Sequence, residues 1–319
     1  MINRREVVTK SLNKVRLMKH TWLSVLVIFS ILFAAFAGSV SADNFSDSPE
    51  SIYPATNDAN ADETSDQTLS NVSTVSSNEV QMKTIGVIGG VSWVSSIEYY
   101  RLLNEMVNEE LGGLHSAKVL MYSVDFGDVS EEERLAEMGD WTALKETMVD
   151  AAQRLERGGA DFIIIASNTF NSLADDIQEN TQIPVLHIAD ATGEKVTESG
   201  IKNVALLGTK YTMEQDFYRD RLEEKYGLNV IIPNETERDY INLVIFDELC
   251  AGKFYNESRE GFVQIINRLV DEEGAEGVIL GCTEIPLLVK QEDVAVPVFD
   301  TTYIHNEAAV KYALSQNEA

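Results

Sequence analysis

Two kinds of apolar run, each ending abruptly in small residues, limit the architecture of this chain more than any other feature. "KTIGVIGG" begins at Lys83 and "ADFIIIASNTF" at Ala160. Such β-branched runs without polar alternation are the pattern of strands buried on both faces, which is the parallel-sheet situation. Both runs then return. "KNVALLGT" from Lys202 repeats the first 119 residues on, and "AEGVILGCTEI" from Ala275 repeats the second 115 residues on. A third block, "IPVLHIA" from Ile183, returns as "VPVFDTT" from Val296, 113 residues on. Three blocks in the same order at nearly one shift indicate a duplicated unit.

Helical segments lie between the strands. "SIEYYRLLNEMVNEELGG" follows the first, with Ser95 or Ser96 as the expected cap and Gly112-Gly113 as the stop. "WTALKETMVDAAQRLERGG" follows "KVLMYSVDF". Strands alternating with helices make an α/β fold. With the duplication, the expectation is two pseudo-symmetric, doubly wound parallel-sheet lobes with the active site in the cleft between them. The boundaries expected are 83–182 plus 296–319 for the first lobe and 183–295 for the second.

Two segments precede the lobes. Residues 1–42 carry six basic side chains, then the apolar run "WLSVLVIFSILFAAFAG" from Trp22 to Gly38 and the small-residue sequence Val40-Ser41-Ala42. That is the form of an export signal. The expected location is therefore periplasmic or secreted, or membrane-anchored if the signal is not cleaved. Residues 43–82 are rich in Ser, Thr, Asn and Asp, and read as a disordered acidic linker. The formal charge of the whole chain is −27. This speaks against nucleic acid as a partner, because phosphate recognition needs a basic surface. No membrane association is expected of the mature domain. Two cysteines, Cys250 and Cys282, are too few for a four-cysteine zinc site or a disulfide framework. No spacing of His187 or His305 suggests a metal, and G-x-G-x-x-G is absent.

Ligands of open α/β sheets bind at the carboxyl ends of the strands. The duplication places Ser167 and Cys282 at equivalent strand ends, so two lobes face a common ligand with a hydroxyl on one side and a thiol on the other. Such a site suits proton transfer at the two faces of one carbon, above all the α-carbon of an amino acid. Cysteine fits the base because its surroundings can lower its pKa into a working range. Val91, Ser92, Asn168, Thr169 and Thr283 are the candidate donors to a substrate carboxylate. Glu284 is a candidate for tuning Cys282 or holding an ammonium, with a helix cap as its plain alternative. Arg134, in what reads as an acidic loop, is weighed between the substrate's distal carboxylate and a solvated charge. Cys250 reads as packing.

"TIGVIGGVSW", "HSAKVLMYSVDF", "SNTFN", "HIADAT", "ALLGTKYTMEQDFY" and "GCTEIPLL" together resemble the aspartate/glutamate racemase family, in its aspartate racemase branch. The resemblance implies two cysteines as acid and base, no cofactor or metal, a small amino-acid substrate and a homodimer. It also implies that Asn168, Thr169 and Thr283 bind the α-carboxylate. Cys282 matches the second cysteine, while Ser167 stands in place of the first. The expectation is a kinetically lopsided racemase in which Cys282 deprotonates L-aspartate or L-glutamate and the Ser167 side returns a proton. Two rivals remain at this level: a single-cysteine decarboxylase-type enzyme on the same scaffold, and a non-catalytic exported protein that binds acidic amino acids.

Overall fold

The computed structural model describes residues 81–315. The export signal expected over 1–42, and the linker over 43–82 apart from its last two residues, lie outside them. Two four-stranded, wholly parallel sheets form the frame, with spatial orders β2-β1-β3-β4 and β6-β5-β7-β8. The first comprises β1 (Ile85–Gly89), β2 (Val119–Ser123), β3 (Phe162–Ile165) and β4 (Val185–Leu186). The second comprises β5 (Asn203–Gly208), β6 (Asn229–Ile231), β7 (Gly277–Gly281) and β8 (Val298–Asp300). Each sheet reproduces the order of the other, as a duplicated unit should.

In the first lobe, β1 lies between β2 and β3, with Ile85 opposite Val119 on one side and Phe162 on the other. Alternate residues then serve two cores. Ile163 and Ile165 pack under α3 (Thr142–Arg157), against Leu144, Met148 and Leu155. Phe162 and Ile164 pack on the opposite face, under Tyr99, Leu103 and Val107 of α1 (Trp93–Leu111). Both faces are dry, so every residue of β3 is buried. Each such side chain contributes roughly 1.5–3 kcal/mol, which is why the run shows no polar alternation.

The lobe boundaries differ from those expected. β4 pairs with β3, so Val185–Leu186 belong to the first sheet rather than the second lobe. β8 pairs with β7, so Val298–Asp300 remain in the second sheet rather than returning to the first. What the lobes exchange is the helix after each fourth strand. α5 (Ile188–Glu198) leaves β4 and buries Ile188, Ala189 and Val196 in the second-lobe core. The last helix, Thr301–Leu314, leaves β8 and buries Ala309, Val310 and Ala313 in the first. The first-lobe exchange is locked by His305, which accepts from the Tyr99 hydroxyl at Nδ1 (2.9 Å) and donates from Nε2 to the Leu186 carbonyl (2.9 Å).

The remaining helices connect these parts. They are α2 (Phe126–Glu137) and α4 (Ala174–Glu179) in the first lobe. In the second they are α6 (Lys210–Glu214), α7 (Asp216–Asp220), α8 (Glu235–Asp247), α9 (Asn256–Glu273) and α10 (Ile285–Leu288), which makes the last helix α11. α2 replaces the acidic loop expected there; Asp125 nucleates it by accepting from the Gly127 N–H (2.8 Å). No helix among the described residues is long and apolar enough to cross a membrane.

Candidate active site

The strand ends of both lobes open onto one cleft. The loop after β1 turns at Gly90, whose φ is 96°, and a Cβ there would sit 2.2 Å from the Val124 carbonyl oxygen. Glycine is required at this position on both counts. Ser96 pins the loop: its hydroxyl accepts from the Gly90 N–H (2.7 Å) and donates to the Ser92 carbonyl (3.0 Å). It does not cap α1, which starts at Trp93 with Ser92 at the cap position and no side-chain cap bond.

Eight residues singled out from the sequence line this cleft together: Val91, Ser92, Ser167, Asn168, Thr169, Cys282, Thr283 and Glu284. Ser167 follows β3 and Cys282 follows β7, at the strand ends expected from the duplication. Phe126, Glu133, Thr209, Ile245, Phe246 and Cys250 complete much of the wall. Thr209 was legible and missed, since the 119-residue shift equates it with Gly90 at the end of β1. Cys250 lies past the end of α8 in a 3₁₀ turn, half-buried, and so packs against the core while also facing the cleft.

The hydrogen bonds assign the hydroxyls and amides differently from their first reading. Glu284 is buried, and its carboxylate collects three donors. Ser92 Oγ reaches Oε1 across the cleft (2.7 Å), while Thr283 Oγ1 (2.9 Å) and Cys282 Sγ (3.2 Å) both reach Oε2. It makes no cap bond to α10, so the plain alternative for Glu284 fails. Ser92 and Thr283 are thereby committed to Glu284 rather than left open for a substrate carboxylate. Thr169 is likewise engaged, sharing hydrogen bonds with Thr209 (3.1 Å) and Thr212 (3.3 Å) of the second lobe.

Asn168 is fixed by the network around it. Thr301 Oγ1 spends its one proton on the Leu280 carbonyl (2.8 Å), so it must accept from Asn168 Nδ2 (3.0 Å). That leaves Asn168 Oδ1 buried without a partner. An acceptor in this position suits an N–H donor better than a carboxylate.

Burial pushes the Cys282 thiol well up, and the charge of Glu284 and the neighbouring Cys250 thiol add to it. The resting protein therefore holds a protonated thiol, where the sequence reading anticipated a lowered pKa. Ser167 Oγ accepts from the Phe170 N–H at 3.3 Å, which leaves its own proton free to be donated.

The other candidates lie outside the cleft lining. Arg134 is exposed on α2 and pairs with Glu131 (2.5 Å), as a solvated charge would. His187 caps α5, accepting from the Ala189 N–H at Nδ1 (3.0 Å). Burial, reinforced by the Arg221 charge, pushes it down to about 3. His305 is the lock described above. Trp93 stands exposed at the start of α1. Among the described residues, no group of three His, Cys, Asp or Glu side chains is placed to hold a metal ion.

Fold and cleft together define a two-lobed α/β protein whose facing strand ends line one cleft. The model of the Asp/Glu/Hydantoin racemase family matches residues 88–309, and the chain belongs to that family. It is 47% identical to a Yersinia pestis protein assigned to the Asp/Glu racemases, covering 73% of this chain and all of that one, with a TM-score of 0.68. An aspartate racemase homologue from Pyrococcus horikoshii is 39% identical over 73% of this chain and all of its own, with a TM-score of 0.65. A broad-specificity amino-acid racemase from Bacillus subtilis is 25% identical over 166 residues, which cover 51% of this chain and 69% of that protein.

Proposed function

We propose that the protein racemises L-aspartate or L-glutamate, with Cys282 removing the α-proton and Ser167 serving the opposite face. The observation that carries this reading is the pairing of Cys282 and Ser167 at repeat-equivalent strand ends lining one cleft. The acidic substrate class follows the aspartate and Asp/Glu racemase likenesses above.

The L-amino acid sits between the lobes with its Cα–H toward Cys282. The Asn168 carbonyl oxygen, which lacks a partner, takes the substrate ammonium. Removing the α-proton leaves an electron pair that delocalises into the α-carboxylate. The Ser167 hydroxyl then delivers a proton to the other face and is reprotonated from water. A hydroxyl is a poor base without an activating partner, so kcat from the D-isomer is low. The final ratio is still one to one, so kcat/KM is equal from the two enantiomers and the asymmetry lies in kcat and KM taken separately. Export of the domain and its assembly as a homodimer belong to the same proposal.

The test is chiral chromatography of L- and D-aspartate and L- and D-glutamate incubated with the reduced protein. The expected result is a higher kcat from L than from D at saturating substrate, with equal kcat/KM from both, and no conversion in Cys282→Ala. Unchanged substrates with both acidic amino acids would refute it.

A further inference from the structure

The duplication provides an internal comparison at the centre of the cleft. The 115-residue shift that equates Ser167 with Cys282 also equates Asn168 with Thr283 and Thr169 with Glu284. Thr169 and Glu284 make the same kind of bond, each reaching across to the first strand-end loop of the other lobe. Thr169 reaches Thr209 (3.1 Å) and Glu284 reaches Ser92 (2.7 Å). A neutral hydroxyl therefore suffices to tie the lobes. The carboxylate at 284 exceeds that need, and it stands on the side that carries the thiol. Its second oxygen is the acceptor of the Cys282 S–H, at 3.2 Å.

We infer that Glu284 receives the thiol proton of Cys282 to generate the attacking thiolate, and that Ser92 of the opposite lobe holds Glu284 in position for it. This rests on the racemase reading. The S–H bond breaks and its proton forms an O–H bond at Glu284 Oε2, leaving the electron pair on sulfur. The thiolate takes the substrate α-proton, so the thiol is restored. Ser167 gives its proton to the carbanion and draws one from water. Glu284 returns its proton to solvent when the product leaves, which closes the balance with no other reactant. Ser92 is a positioning residue, and its bond fixes the base from the opposite lobe.

The charges acting on the Cys282 thiol come from Glu284 and Cys250, Glu284 also acts on Tyr99, and Cys250 feels Glu133; all of these are acidic groups. With no positive group among them, the protonated thiol is the stable resting form, and a dedicated acceptor is needed at neutral pH.

The experiment follows Cα-deuterium exchange of L-aspartate or L-glutamate by the full chain, in wild type, Glu284→Gln and Ser92→Ala, from neutral to alkaline pH. Iodoacetamide alkylation of Cys282 is measured in parallel. Glu284→Gln is expected to lower kcat at neutral pH on the order of 100-fold, the scale of general base catalysis, with KM within about threefold. The rate should recover with rising pH as solvent base replaces the carboxylate, and alkylation should be no slower than in wild type. Ser92→Ala should lower kcat about tenfold with KM unchanged. Glu284→Gln within about threefold of wild type at neutral pH would overturn the inference, as would a loss that alkaline pH does not relieve. If Glu284→Gln does not fold, Ser92→Ala decides, and an unchanged kcat overturns the inference. Wild type without exchange defeats the racemase reading itself, whereas exchange in wild type and Glu284→Gln alike defeats this step alone.

Discussion

Lowering the pH should loosen the helix exchange that couples the lobes, and His305 sets the size of the effect. Its ring is fully buried and both nitrogens are used, one accepting from Tyr99 and the other donating to Leu186. A second ring proton would meet the Tyr99 hydroxyl where an acceptor is required. Burial accordingly pushes the group down from 6.5 to about 4. Because the folded pKa lies below the unfolded one, the contribution is complete above about pH 6.5 and is lost as the pH falls toward 4. At about 1.36 kcal/mol per unit, the loss is about 3 kcal/mol. For a domain of this size that is roughly 6–12 °C in Tm. His305→Gln offers an amide that can donate to Leu186 and accept from Tyr99 without titrating. Urea unfolding of wild type and variant at pH 7 and pH 4 should show the wild type losing about 3 kcal/mol more than the variant. Equal losses would refute the reasoning. His187 is pushed lower still, and titrates in both proteins, so it cancels in the comparison.

Two further outcomes follow from the cleft. Ser167→Cys restores a thiol at the position equivalent to Cys282 and should raise kcat from the D-isomer at least about tenfold, with a smaller rise in kcat from the L-isomer and an equal change in kcat/KM for both; chiral chromatography from each enantiomer at saturating substrate reads this directly. Gly90→Ala forces a positive φ on a side chain whose Cβ meets the Val124 backbone. It should cost roughly 3 kcal/mol or more, seen as a lowered urea midpoint together with lost activity.

Much of the fold was legible because duplication and dry parallel strands both write themselves into residue order. The three repeated blocks became the matching sheet orders, and Ser167 and Cys282 came to equivalent strand ends. The lobe boundaries were not legible. Which core receives α5 or α11 depends on packing between distant segments, and the sequence around Ile183 and Val296 shows only that a strand lies there. Residue types in the site were readable, but their commitments were not. Ser92 and Thr283 looked like open donors, yet both are spent on Glu284. Cys282 was given a lowered pKa from its role, while its burial beside a carboxylate raises it. Asn168 presents an acceptor only because Thr301 has given its proton to Leu280, a relation spanning 133 residues of chain between Asn168 and Thr301.

The claim that one thiol works one face of the α-carbon is tested most directly by solvent-deuterium incorporation. Reduced protein is incubated with L-aspartate or L-glutamate in deuterated water, and proton NMR follows the Cα–H signal while chiral chromatography follows the enantiomers. The account predicts deuterium at Cα, D-isomer formed with it, and neither in Cys282→Ala. No exchange with either substrate, or exchange that persists without Cys282, would contradict it.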